Sequence, residues 1–189
     1  WPLLSLIVFL PIVGALLILT IRGEDEVVAR NARAVALWTS LFTLALALLL
    51  WVGFEPGTAD FQFVEVRPWL PDFGIAYYLG VDGISILFVV LSAFLTPICV
   101  VASWQAITVR VKEYMIAFLV LETMMIGVFC ALDVVVFYLF FEGMLIPMFL
   151  IIGVWGGPGR VYAAFKFFLF TLAGSVLFLI ALLVMYFQA

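Results

Sequence analysis

Four ionisable side chains stand inside or at the ends of runs that are otherwise apolar: Glu142 in "FYLFFEGMLIPMFLIIGVWGG", Glu122 in "LVLETMMIGVFC", Asp133 at the head of the Glu142 run, and Lys166 in "YAAFKFFLFT". Runs of about 20 apolar residues are long enough to cross a bilayer, and a charged carboxylate at the centre of such a span costs roughly 2.5–3.5 kcal/mol. Proton handling is the chemistry that would justify that cost. At helical spacing the neighbours of Glu142 are Tyr138, Leu145, Ile146 and Phe149, so one phenol is the only polar group on its face. One hydroxyl cannot replace the hydration of a carboxylate, and Glu142 therefore needs a partner on another helix, a wet cavity or a proton of its own. Pro147 lacks an amide hydrogen, which leaves the carbonyl of Gly143 without its helical partner beside the acid and able to hold a water. The bland alternative is a glutamate that pins one helix to another.

The other three read less sharply. Glu122 fits a static interhelical ion pair as well as it fits a proton site. Asp133 precedes Glu142 by nine residues, about 180° around a helix; a helix N-cap is its favoured reading, a carboxylate at a proton entrance or exit the alternative. Lys166 lies about one turn into its run, where an ammonium can snorkel to the headgroups or reach inward. Thr171, Gly174 and Ser175 form a small, weakly polar strip that suits close helix packing. Asp82 with Ser85 in "GVDGIS" reads as a cap, and Thr96–Pro97 as a bend. A buried acid can be switched between holding and releasing a proton by moving one neighbouring charge, so these residues could serve a pump without any cofactor.

The elements that must position them are membrane spans. Of 189 residues 68% are hydrophobic and 11% charged, and the mean hydropathy of +1.38 is far outside the range of soluble domains. The chain contains no histidine, which removes haem ligation, His-rich zinc sites and the commonest proton-transfer side chain. Cys99 and Cys130 have no CxxC spacing and read as apolar packers within spans. The net charge of −4 points to no nucleic-acid partner. A first residue of Trp1 and an end just after a span predict part of a longer polypeptide, with no cleavable signal.

Six spans are predicted, over residues 2–21, 34–53, 81–102, 114–131, 133–155 and 162–187, forming an all-α integral-membrane bundle within a single membrane domain, 1–189. Arg22, Arg30, Arg33, Arg110, Lys112 and Arg160 follow spans one, three and five, while the opposite side has Arg67, so the positive-inside rule puts the N-terminus outside. Residues 54–80, acidic and aromatic, are predicted to be an external loop at the lipid interface.

The stretch from "LETMMIGVFCALD" through "FEGMLIPMFLIIGVWGGPGRVYAAFKFFLFTLAGS", with "LGVDGIS" upstream, resembles the N-terminal part of the subunit M family of NADH:quinone oxidoreductase, respiratory complex I, called chain 4 in mitochondria. The motifs are dense over residues 78–189; residues 1–77 agree mainly in layout, and the Glu142 motif is closer to subunit M than to the sister subunits L and N. The resemblance implies an antiporter-like fold of about fourteen helices with two inverted repeats of roughly five helices each. It implies a proton-translocating module driven from a distance by NADH oxidation and quinone reduction. Glu142 falls on the family's essential glutamate, whose partner lysine lies on a broken seventh helix beyond this chain; Asp133 and Lys166 also fall on motif positions. No cofactor is expected here, NAD, FMN, iron–sulfur clusters and quinone belonging to other subunits. Expected partners are the other membrane subunits, the sister antiporter-like ones included, and the lipid bilayer, with the bacterial plasma membrane favoured over the mitochondrial inner membrane. A subunit of a multisubunit cation/proton antiporter and a purely structural membrane subunit are the competing readings.

Overall fold

The computed structural model describes residues 2–188; Trp1 and Ala189 lie outside them. Apolar runs of this length satisfy their backbone internally only as helices, and the six long ones are α1 (Leu3–Thr20), α2 (Asp25–Val52), α3 (Ser85–Ala106), α4 (Val111–Cys130), the pair α5 (Val134–Gly143) and α6 (Leu145–Trp155), and α7 (Arg160–Gln188). Helix α2 begins nine residues before its expected span, because "DEVVARNAR" continues helically and places Asp25 and Glu26 in the first turn, where acids favour the helix dipole. The fifth span is two helices end to end.

The connector between α2 and α3 departs from a plain loop. It forms an antiparallel hairpin of β1 (Gln62–Leu70) and β2 (Ile75–Val81), with Glu65 opposite Leu79 and Arg67 opposite Tyr77. β-Branched and aromatic residues on both sides of "PDFG" favour it, and Gly74 takes the left-handed backbone, φ 67°, that closes the turn. The hairpin extends onto the bundle through Leu132, whose amide donates to the Tyr78 carbonyl at 2.9 Å.

Helix α4 is the most buried span, packed against α1, α2, α3, α5 and α6, whereas α7 leans mainly on α6 and leaves most of its surface uncovered. The core is divided in two. Toward the hairpin end it is built from Leu4, Ile7 and Val8 of α1, Leu50 of α2, Val89 of α3 and Ile126 of α4. Toward the opposite, basic end it is built from Ile18, Ala32, Ala36, Val100, Met115 and Leu119. Between the two lie buried polar side chains from three helices: Thr39, Ser40 and Thr43, Ser92 and Thr96, Glu122 and Thr123. At the same level Gly14 lets α1 approach α2; a Cβ there would meet the Thr39 side chain at 2.5 Å.

Helix ends are tied by charge. At the hairpin end Glu65 accepts from the amides of Leu4, at 2.8 Å, and Ser5, and from the Ser5 hydroxyl, so a strand residue caps α1 across 61 positions of sequence. Ser5 Oγ also meets Tyr77 Oη at 2.8 Å; burial pushes the Tyr77 phenol above its ordinary range, against the pull of the Ser5 hydrogen bond. Asp82 caps the start of α3. At the basic end Lys112 donates to the carbonyls of Leu19 and Ile21 that close α1, and Arg33 to that of Ile107, which closes α3. These same basic residues carry the charge asymmetry visible in the sequence.

Candidate functional site

Glu142 is the next-to-last residue of α5, at the junction where the fifth span changes from one helix to the next. Pro147 has no amide to offer the Gly143 carbonyl, so the ladder is interrupted there. The amide of Met144 still reaches the Phe140 carbonyl at 3.1 Å, and that of Met148 reaches the Met144 carbonyl at 3.4 Å. The backbone at Met144 stays in the right-handed helical region, φ −66° and ψ −27°, between the two halves.

Small residues set the position of this junction. A Cβ on Gly127 of α4 would collide with the Phe140 ring of α5, and a Cβ on Gly143 of α5 would stand 2.8 Å from Met124 Sδ of α4. Two antiparallel helices thus exchange a glycine for a bulky side chain in both directions, each at a spacing of three residues. Phe140 also packs on Phe9 of α1. The α5 backbone next to Glu142 is thereby held against Met124, at the depth of the polar layer.

The Glu142 carboxyl is partly buried, and its Oε1 is a buried atom without a hydrogen-bond partner. Tyr138, one turn earlier, stands beside it and beside Ser175 of α7, and stacks on Phe178 with ring centroids 6.5 Å apart. Between α5 and α7 runs a groove of about 410 Å³ lined by Phe137, Phe141, Phe170, Thr171, Gly174, Ser175 and Phe178. The Thr171–Gly174–Ser175 strip seen in the sequence is its polar side.

The remaining candidates do not converge on Glu142. Asp133 is the N-cap of α5: Oδ1 accepts from the amides of Val135, at 2.8 Å, and Val136, and Oδ2 from that of Ala76 in β2 at 3.1 Å. It stands at the hairpin end and joins α5 to the hairpin. Lys166 is exposed on α7, its ammonium 5.9 Å from the Tyr162 ring. It lies at the level of Phe149, which packs on Phe165, about 10 Å along the axis from Glu142 at 1.5 Å per residue. Among the described residues the one salt bridge is the surface pair Arg110–Glu113, at 3.5 Å, so no base is paired with either membrane glutamate.

Glu122 is fully buried in α4, with neither carboxyl oxygen hydrogen-bonded, and faces Thr96 of α3. Apart from Thr96, read from the sequence only as part of a bend with Pro97, the hydroxyls around this layer escaped the sequence reading. Their signal was available: Thr39 and Thr43, and Ser92 and Thr96, recur at i, i+4 midway through apolar runs, which puts each pair on one helix face.

Residues 6–131 match the family described as NADH-ubiquinone oxidoreductase chain 4, amino terminus, and residues 131–189 the family described as NADH:quinone oxidoreductase/Mrp antiporter, TM. Six apolar helices with a glutamate at the break of the fifth, and this match, define an antiporter-like membrane subunit. The chain is 57% identical over 188 residues to NADH-quinone oxidoreductase subunit M of Rhodobacter capsulatus, covering 99% of this chain and 36% of that protein. It is 49% identical to NADH-ubiquinone oxidoreductase chain 4 of Marchantia polymorpha, covering 98% and 37% respectively. A chain of respiratory complex I from Thermus thermophilus with bound NADH superposes with a TM-score of 0.79 at 32% identity, over 95% of this chain and 35% of that one. The chain therefore belongs to the subunit M (chain 4) family of NADH:quinone oxidoreductases, and it spans about a third of the length of the curated relatives it matches.

Proposed function

We propose that this chain forms the beginning of a proton-translocating subunit of NADH:quinone oxidoreductase, with Glu142 as its principal proton-carrying residue. The observation that carries this reading is the position of Glu142: a carboxyl in mid-span, one oxygen unpartnered, beside a carbonyl released by Pro147. A mobile cation brought close to such a carboxyl drives its proton off, and withdrawal of the cation lets it reload. Lys166 is the sole base within the six spans predicted from the sequence, and its position on α7 makes it a candidate for relaying charge along the α6–α7 side. Asp133 orients α5 by capping it, and stands where a proton would enter or leave at the hairpin end.

In this reading the subunit carries no redox centre. Within this piece the two cysteines lie on separate helices and there is no histidine, a residue set that does not suit an iron–sulfur cluster or haem; NAD, FMN, iron–sulfur clusters and quinone are expected in other subunits of the assembly. The basic end faces the cytoplasm or matrix and the hairpin the outside, as the positive-inside rule requires. The bacterial plasma membrane is the favoured location, and the sister antiporter-like subunits are the expected neighbours.

A second reading has support in the match of residues 131–189, whose description names an Mrp antiporter alongside the oxidoreductase. The two are separated by purifying the full-length protein from its native membranes. A copurifying NADH-oxidising arm and NADH-driven proton uptake by vesicles are the outcomes expected here; sodium/proton exchange without NADH oxidation would transfer the chain to the antiporter reading.

A further inference from the structure

We propose that Glu122 is a second proton-carrying carboxyl of this module, holding its proton by donating it to Thr96 Oγ1; the proposal rests on the proton-translocating reading above. Both carboxyl oxygens are sealed from solvent at 0% exposure and lack a partner, and Thr96, itself 4% exposed, faces them across the α3–α4 contact. The Thr96 hydroxyl that faces the acid, and those of Ser92 and Thr43 in the same layer, have already committed their protons, whereas Thr123 Oγ1, next to Glu122 on α4, is buried without a partner. Thr96 donates to the Ser92 carbonyl at 3.0 Å, Ser92 to Phe88 at 2.8 Å, and Thr43 to Thr39 at 3.0 Å. A hydroxyl bound in this way offers lone pairs and no hydrogen. An ionised carboxylate only accepts, so it would find no donor in Thr96, whereas a carboxylic acid supplies the missing hydrogen itself.

No cation competes for this role among the described residues. Helices α1 and α6 contain no charged residue, and α3 contributes only Cys99, exposed on the outer surface of the bundle. The charged groups of α2 (Asp25, Glu26, Arg30, Arg33) and the Lys112 and Glu113 of α4 are at the basic end. Tyr114 and Cys130 lie near opposite ends of α4, and α5 brings Tyr138 and Glu142. Glu122 and Glu142 are at one depth on adjacent helices, because Met124 packs on Gly143. The step is a simple exchange: the Glu122 O–H breaks, the proton passes to a water admitted into the hydroxyl layer, and the carboxylate left behind recovers a proton by the reverse path.

The test uses the complete complex, with infrared spectra recorded in light and heavy water and proton-to-electron ratios measured in vesicles. The expected result is a deuterium-sensitive carboxylic-acid carbonyl band that is present in the wild type and in Glu142→Gln and absent from Glu122→Gln, together with a lowered ratio in Glu122→Gln. Thr96→Val, which keeps the shape and removes the acceptor, should shift that band, and it remains informative should Glu122→Gln fail to assemble. A band unchanged in Glu122→Gln, a wild-type ratio in that variant, or an unshifted band in Thr96→Val overturns the proposal. Normal pumping by Glu142→Gln would instead overturn the reading on which it rests, so the two failures are read separately.

Discussion

Asp82 and Asp133 show what acids at the ends of spans do in this fold: each turns its carboxylate onto free amides at the start of a helix. The Ser85 amide, with the Ser85 hydroxyl and the Ile84 amide, holds the Asp82 carboxyl below the usual carboxylate range. A carboxyl whose folded value is lowered stabilises fully above its unfolded value, and that contribution is lost as pH falls through the folded one. Protection of the Ile84 and Ser85 amides from hydrogen exchange should therefore persist through the ordinary carboxylate range and fail only in stronger acid. In Asp82→Ala it should be low at every pH, with a cost of about 1 kcal/mol for the lost cap; loss of protection in mild acid by the wild type would contradict this. Glu142 and Glu122 differ from both aspartates in having no amide to accept from. That contrast, between acids satisfied at helix ends and acids unsatisfied in mid-span, separates structure from chemistry more clearly than spacing alone.

Helices α4 and α5 hold the glutamate junction, and their reciprocal glycine contacts make a prediction about elements. Gly127→Val should drive Phe140 out of its seat and lower the stability of the subunit by about 1–3 kcal/mol, the usual cost of overpacking. Gly174→Ala, with open space around its Cβ, should be neutral; thermal melts of the purified complex read both, and equal losses would contradict the packing described. The spans themselves were legible in the sequence because long apolar runs admit one solution in lipid, and the break was legible in Pro147. The pairing of Gly127 with Phe140 was not, because register between two helices depends on which side chains meet, and that is a tertiary property. The hairpin was missed for another reason: "VEVRPWL" and "IAYYLGV" around "PDFG" carry strand and turn signals, but acids and aromatics also describe an interfacial loop. Asp133 was legible as a cap, though its bond to Ala76 of the hairpin was not.

Across the whole molecule, two apolar cores enclose a polar layer in mid-bundle, with capped helix ends above and below. Helices α1 to α4 form the packed part, and the α5–α7 side, with its groove and its exposed Lys166, is the more open. Glu142 lies between these regions, anchored by α4 and opening toward α7. Such a layout gives the glutamate a rigid support on one flank and room for a changing neighbour on the other. The corresponding prediction concerns function rather than stability: removing the ionisable carboxyl at residue 142 should leave assembly intact and uncouple electron flow from proton movement. The most direct measurement is the number of protons moved per NADH oxidised by vesicles carrying the complete complex with Glu142→Gln. A severe loss of proton translocation with normal amounts of assembled complex is the predicted result; an unchanged ratio would contradict it.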